Sequence, residues 1–343
     1  MIIKQGFAAE ERAMLRGTRI DAQKLTSFVD WYPVAISADE QELWWRNMHD
    51  QAFTEAFFQD SLAIQDRDKR QVCSTPLRAL HSIVAGLDCA RPTAFIFHVS
   101  RCGSTLLTQM LTKLEQCIVL SEPPVLDAFF RFYHDNPDIP DAHALFRQLV
   151  SALGQRRSQA ARKEEHFFIK FDSWHLPWLD FIREAFPDVR FIFLYREPHA
   201  VLASHRRQRG PQMIPGLINT TRLQAGFTDC AMADHDAYTA AMLLAMFQAG
   251  FEHGKLTGAN LVNYNQLPAV LWQELLPLAG VHYEESQLRL MEQRSARHSK
   301  NRHQLYTGDA FTGTQSSETC ELLMSQVSAA YELLELQRLA EER

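Results

Sequence analysis

AFIFHVSRCGSTLLTQMLTKLEQ (94–116) decides how the chain is read. Its first six residues are a continuous apolar run, as a strand buried on both faces requires. Its last eleven carry apolar residues at helical spacing. Between the two lies a short turn, Ser100-Arg101-Cys102-Gly103-Ser104-Thr105. A glycine-bearing turn from a strand into a helix N-terminus is an anion cradle. Gly103 lets the backbone come close to a ligand. The amides of Gly103, Ser104 and Thr105 then face the anion at the positive end of the helix. The hydroxyls of Ser104 and Thr105 add donors, and Arg101 adds a fixed cation. The loop is not of the GxxxxGK[ST] type, because 91–100 holds no glycine and Ser104 stands where the lysine belongs.

Further short apolar runs recur at CIVL (117–120), HFFIKF (166–171), VRFIFLY (189–195) and ANLVNY (259–264). Helix-like segments separate them near 124–134, 142–162, 175–186, 198–208 and 235–256. Such alternation predicts an α/β fold with a mainly parallel, doubly wound sheet over 91–343. The final stretch, SETCELLMSQVSAAYELLELQRLAEER (317–343), predicts an amphipathic helix packed across that domain. RGPQMIPGLINTTRLQAGFTDC (209–230) breaks every periodicity and reads as a lid or binding loop.

Residues 1–90 read as a helical N-terminal region. Ser37 and Glu40 form a capping box ahead of ELWWRNMHDQAF (42–53). TEAFFQDSLAIQ (54–65) and LRALHSIVAGL (77–87) carry apolar residues three and four apart. Trp44, Trp45, Phe57 and Phe58 are expected in a core rather than against a ligand.

The bulk numbers set limits. Of 343 residues, 46% are hydrophobic and 22% charged, enough apolar surface for a large core. A formal charge of −6 argues against nucleic acid or an anionic membrane as the main partner. The six cysteines lack metal-site and disulfide-framework spacing. The opening MIIKQGFAAEERAML has no apolar leader core, and no window is long and apolar enough to span a bilayer. A cytoplasmic protein is expected, of unspecified oligomeric state.

A second anion site follows from VRFIFLYREPHAVLASH (189–205). Arg196 leaves a buried strand, Pro198 suits the first turn of a helix, and Ser204 lies two turns along it. A strand-end guanidinium and a helical hydroxyl can clasp a phosphate, with the guanidinium binding bidentately.

Together these two strings resemble the sulfotransferase superfamily that uses 3′-phosphoadenosine 5′-phosphosulfate (PAPS). FIFHVSRCGSTLL resembles its 5′-phosphosulfate loop, PKSGTTW in cytosolic members. Arginine in place of lysine is closest to the PRSGTT loop of tyrosylprotein sulfotransferases. The resemblance spans roughly 91–305 and implies a P-loop-type three-layer α/β/α fold. It also implies PAPS as cosubstrate, with no metal required. Arg101, Cys102, Gly103, Ser104 and Thr105 inherit the phosphosulfate site, Arg101 also stabilising the leaving oxygen. Arg196 and Ser204 inherit the 3′-phosphate site. LVNYNQL (261–267) resembles the family's "YEDL" segment and gives Tyr264 a nucleotide-binding role. SARHSKNRHQ (295–304) resembles the segment closing over the nucleotide, with Ser299 and Lys300 as candidates ahead of Arg302 and Arg297. The RKGxxG signature of the cytosolic enzymes is absent.

Sulfuryl transfer calls for a base that takes the acceptor's proton. Glu122, in VLSEPPVLD (119–127), falls at a similar distance after the loop as the catalytic glutamate of the tyrosylprotein sulfotransferases that it resembles, and partial burial beside Pro123 and Pro124 is expected to raise its pKa. Cytosolic members carry a KTH segment after the third strand. Here Lys170 matches the lysine, Asp172 takes the histidine's place, and His175 follows three residues later. Glu122, then His175, are the candidate bases, with Asp172 a third. Lys170 either assists the leaving group or pairs with a carboxylate. His98 and His205 read as structural histidines. The acceptor is a hydroxyl or amine on a small molecule, carbohydrate or peptide. A small-molecule P-loop kinase and a non-catalytic nucleotide-binding protein of this fold are the alternatives.

Overall fold

A computed structural model describes residues 9–37, 41–160, 163–218, 231–232, 234–255, 259–297 and 316–341. Among these, the runs read as strands form one sheet: β5 (Pro92–His98), β6 (Cys117–Ser121), β7 (His166–Lys170), β8 (Arg190–Tyr195) and β9 (Ala259–Asn263). Their order is β6-β7-β5-β8-β9, and the β5–β8, β6–β7 and β8–β9 pairs are parallel. Helices alternate with the strands, which makes this the P-loop-type α/β fold anticipated from the sequence.

The chain divides into two compact units. The first comprises Met1–Thr93, Thr108–Lys170 and Phe181–Pro187. It holds a second sheet, built from β1 (Thr18–Arg19), β2 (Trp31–Ser37), β3 (Glu42–Asn47) and β4 (Gln71–Pro76) in the order β1-β4-β3-β2. The expectation of a helical region over 1–90 is therefore corrected. ELWWRN is a strand, antiparallel to both β2 and β4. Ser37 caps no helix; it ends β2 opposite Glu42. Glu40 lies outside the described residues. The reason is physical: a short run rich in Trp and Leu fits either period, and a partner strand with aromatic and β-branched residues decides for the sheet.

Helix formation in this region is confined to short pieces, α1 (Ala9–Met14), α2 (Phe58–Ala63) and α3 (Leu80–Val84). Trp45 and Phe58 are fully buried, in keeping with the core reading of the aromatic cluster. Trp45 Nε1 donates to Thr75 Oγ1 at 2.9 Å. Arg46, also sealed from solvent, donates to Gln65 Oε1 and to the carbonyls of Met14 and Arg16. Burial pushes its guanidinium down to about 10. The same unit contains α5 (Pro124–Asp135) and α6 (Ala142–Leu153), joined by Phe129, Phe130, Phe146 and Phe181 in one aromatic cluster. Helix α6 stops at Gly154, short of the helix anticipated over 142–162. A Cβ there would stand 2.6 Å from the Phe167 ring.

The second unit comprises Ala94–Leu107, Phe171–Asp180 and Asp188–Arg343. In it Phe171 stacks on Phe97 with ring centroids 4.9 Å apart. Helices α8 (Pro198–Arg207), α9 (His235–Gly254), α10 (Glu285–Ser295) and α11 (Glu318–Glu341) follow, α11 packing on α8, α9 and β9. Two further helices are α4 (Ser104–Leu111) and α7 (Leu179–Ala185). No helix among the described residues is long and apolar enough to cross a membrane.

Candidate active site

Three loops leave the carboxyl ends of β5, β8 and β9 within the second unit. The register fixes this, because His98 pairs with Leu194 and Tyr195 with Asn263. Ligands of parallel sheets bind at such ends.

The first loop is the turn 100–103, opening α4 at Ser104. Two of its residues have left-handed backbone, Arg101 at φ +60° and Gly103 at φ +89°. Backbone curled in this way turns successive peptide N–H groups into an anion-binding concavity. At Gly103 the need for glycine is steric as well. A Cβ there would stand 2.7 Å from Leu267 Cδ1 and 2.8 Å from Tyr264 Cδ2. Cys102 is buried, as are the Ser104 and Thr105 side chains at the helix start. Arg101 is partly exposed and donates through Nη2 to the carbonyl of Gln208.

The second loop holds Arg196, partly exposed at the end of β8. Glu197 caps α8 by accepting from the amides of His199 and Ala200 at 2.9 and 2.7 Å, and Pro198 occupies the first turn. Ser204 is partly exposed on α8, and its carbonyl accepts from the Gln208 amide. The third loop supplies Tyr264. Its ring lies under Arg196, with the guanidinium carbon 4.3 Å from the ring centroid. One aromatic side chain thus touches both the glycine of the first anion loop and the arginine of the second. The structure brings together the turn at 101–105, Arg196 and Tyr264.

The remaining candidates divide. In the first unit, Lys170 at the end of β7 and Glu122 just after β6 form an ion pair at 2.9 Å. Lys170 is wholly buried and the Glu122 side chain is 21% exposed. Glu122 holds a left-handed backbone, φ +54°, and its amide donates to the Lys170 carbonyl. The Phe57 ring lies 4.8 Å from Lys170 Nζ. In the second unit, His175 sits in a 3₁₀ segment, Ser173–Trp178, almost wholly buried with Nε2 3.8 Å from Asp172 Oδ2. That distance is an ion-pair approach, too long for a hydrogen bond. His98 and His205 are buried too, His98 Nδ1 contacting the Val99 carbonyl and His205 Nδ1 accepting from the Gly210 amide. Ser299, Lys300 and Arg302 lie outside the described residues, as does 219–230 of the long loop. Arg297 lies just past α10.

The sequence model of the sulfotransferase family matches residues 92–251, a span containing the first two loops and the Glu122–Lys170 pair. The matched segment, 160 of the 343 residues, is similar to the sulfotransferase family. Among solved structures the chain is similar to the sulfotransferase domain of the Synechococcus PCC 7002 olefin synthase, at 14% identity and TM-score 0.41, over 71% of this chain and 96% of that one. It is also similar to a sulfotransferase from Mycobacterium avium, at 12% identity and TM-score 0.43, over 77% and 80% of the two chains. A mouse sulfotransferase complexed with PAP matches at 11% identity and TM-score 0.38, over 78% and 91%. Likenesses this remote add nothing to the similarity of the matched segment. No curated protein matches the chain.

Two features of this region were not read from the sequence. Gln212, buried in the described part of the long loop, donates through Nε2 to Ser100 Oγ at 2.9 Å and Ser173 Oγ at 3.2 Å. It thereby ties the loop to the residue before Arg101 and to the turn after Asp172. Phe57 lies outside the family segment, and its place over Lys170 follows from no local pattern. Among the described residues no group of three or more His, Cys, Asp or Glu could hold a metal ion.

Proposed function

We propose that this chain moves the sulfuryl group of PAPS onto a hydroxyl or amine of an acceptor. The observation that carries the reading is the position of Tyr264, in contact with the glycine loop on one side and Arg196 on the other. Two cationic anion-binding elements joined across one aromatic ring suit a ligand with an anion at each end of a nucleoside. An adenosine 3′,5′-bisphosphate has that form; ATP has its charge at one end only.

The loop fits such a group. Gly103 lets Leu267 and Tyr264 pack against the turn where a Cβ would meet them at under 3 Å, and positive φ at 101 and 103 curls the backbone N–H groups inward. Arg101, Cys102, Gly103, Ser104 and Thr105 would hold the phosphosulfate end. Arg196 and Ser204 would hold the 3′-phosphate, and Tyr264 the nucleoside between, with Ser299 and Lys300 joining from 298–315. When bound, PAPS supplies an already activated sulfuryl group. Arg101 then offsets charge gathering on the leaving phosphate oxygen. Glu122 is assigned the acceptor's proton, with Lys170 as its fixed partner. His175 is the weaker candidate because it is buried among Phe171, Trp174 and Asp172.

In the first unit, Gln109 Nε2 pins the segment 54–57 by donating to the carbonyls of Thr54 and Glu55, and the Phe57 ring lies 4.8 Å from Lys170 Nζ. The abundance of Phe and Trp in the chain favours acceptors with an apolar or aromatic body. The transferase domain is taken as 91–343, with 1–90 as its accompanying region, and a cytoplasmic location belongs to the same reading.

Isothermal titration with PAP, AMP and Mg-ATP tests the proposal, followed by turnover of labelled PAPS against an acceptor library. Micromolar PAP binding, with AMP and Mg-ATP much weaker, supports it. Tighter binding of Mg-ATP than of PAP would return the chain to the kinase reading.

A further inference from the structure

Arg196 and Tyr264 each follow a strand end, and the two preceding residues, Tyr195 and Asn263, are register partners across β8 and β9. Both are held by α11, far outside the family segment. The Tyr195 hydroxyl donates to Glu335 Oε1. The Asn263 amide nitrogen donates to the Tyr331 hydroxyl at 2.9 Å, and Asn263 also bonds the Glu335 side chain. Glu335 is in turn gripped by Arg338, whose Nε and Nη2 donate to its two oxygens at 3.1 and 3.0 Å.

The consequences run to the ligand-facing residues. With its nitrogen engaged by α11, the Asn263 side chain presents Oδ1 to the Asn265 amide at 3.0 Å, while the Gln266 side chain accepts from the Asn263 amide. That reciprocal pair caps the turn Tyr264–Gln266 and so fixes where Tyr264 starts. Tyr195 is wholly buried, its ring edge-on to Tyr331 and Phe247. Burial and the Glu335 bond push its phenol well up, so the hydroxyl remains a donor.

We infer that Glu335 and Tyr331 are positioning residues for nucleotide recognition: through Tyr195 and Asn263 they set the spacing and aim of the Arg196–Tyr264 pair. A guanidinium binds phosphate bidentately only within narrow limits of angle and distance, so loosening two adjacent strand ends costs selectivity for the 3′-phosphate first. The inference rests on the reading of this site as one for an adenosine bisphosphate.

The test compares PAP with AMP, which lacks the 3′-phosphate, by isothermal titration on the full chain, its Glu335→Gln variant and its Tyr331→Phe variant. Tyr331→Phe removes one hydroxyl and keeps the ring, so it serves if Glu335→Gln folds poorly. Expected is a loss of PAP affinity of about tenfold, the order of one good hydrogen bond to a charged group, with AMP affinity held within twofold. The PAP/AMP ratio therefore collapses, which a general loss of stability would not produce. Variants that keep the ratio of the unaltered chain would overturn the inference and leave the nucleotide reading standing. An unaltered chain with no preference for PAP over AMP would overturn both.

Discussion

Lys170 and Glu122 are an ion pair with unequal access to water: the ammonium is sealed in, while a fifth of the carboxylate side chain is exposed. Removing either partner should therefore have unequal effects. Glu122→Ala takes a carboxylate partner from a buried ammonium, expected to cost up to about 3–5 kcal/mol of stability. Lys170→Met leaves a carboxylate that water can reach, and its cost should be clearly smaller. Urea unfolding of the two variants measures the order. For activity, Glu122→Gln should lower turnover by about 10²- to 10⁴-fold, the usual worth of a positioned base, with PAP affinity unchanged. Full turnover in that variant would remove Glu122 from the reaction.

Gly103→Ala should damage nucleotide binding more than it damages the fold. The new Cβ meets Leu267 and Tyr264 at under 3 Å, and φ +89° is costly for any side chain. Strain of about 1–3 kcal/mol is expected, relieved by displacing the Tyr264 ring. Since that ring also lies under Arg196, both anion sites should suffer together. A drop of about tenfold or more in PAP affinity, with a melting temperature only a few degrees lower, is the anticipated pattern. Unchanged PAP affinity would mean that the Gly103–Tyr264 contact does not matter to the ligand.

Much of this arrangement was legible in the chain, and the division has a physical basis. Strands β5 to β8 are mostly buried, so each appears as a short, largely apolar run, and their recurrence between helical segments is what marks them as strands. Arg101 to Thr105 and Arg196 to Ser204 are local strings, and local geometry follows from local sequence. The front sheet was misread because ELWWRN satisfies two periodicities, and only its pairing with β2 and β4 chooses between them. The Glu122–Lys170 pair was foreseen only as an option. Contacts such as Tyr195 with Glu335, 140 residues apart, leave no mark in either segment alone. Gln212 was hidden for a related reason: its loop has no period, and a polar residue in a loop is expected in water.

Gln212 gives a further test. Its amide reaches Ser100 and Ser173 from a buried position. In Gln212→Leu both hydroxyls lose that donor, and a buried polar group left unsatisfied costs about 1–3 kcal/mol. The start of the long loop should also loosen from the anion turn. Faster proteolysis within 209–218 and a raised KM for PAPS are expected, with kcat reduced less. Protection of that segment equal to the unaltered chain's would show the strut to be dispensable.

The Glu335 network fixes the sign of one pH dependence. Burial alone would raise the Glu335 pKa, but hydrogen bonds from Arg338, Tyr195 and Asn263 outweigh it and hold the group below its ordinary 4.5. A carboxylate with a depressed folded-state pKa contributes stability that is present above the unfolded value and lost as pH falls through the folded one. The contribution is thus complete at neutral pH and fades below about pH 4.5. Asp234, held low by Ser317 and the amides of Asp236 and Ala237 against its own burial, adds a second loss in the acid range. That loss is common to the unaltered chain and to Glu335→Gln, so it cancels when the two are compared. Urea unfolding at intervals from pH 7 to pH 3 should therefore show the unaltered chain more stable than Glu335→Gln at neutrality, with the gap closing below pH 4.5. A gap that stays constant to pH 3 would mean that the ionised carboxylate is not what binds α11 to the ends of β8 and β9.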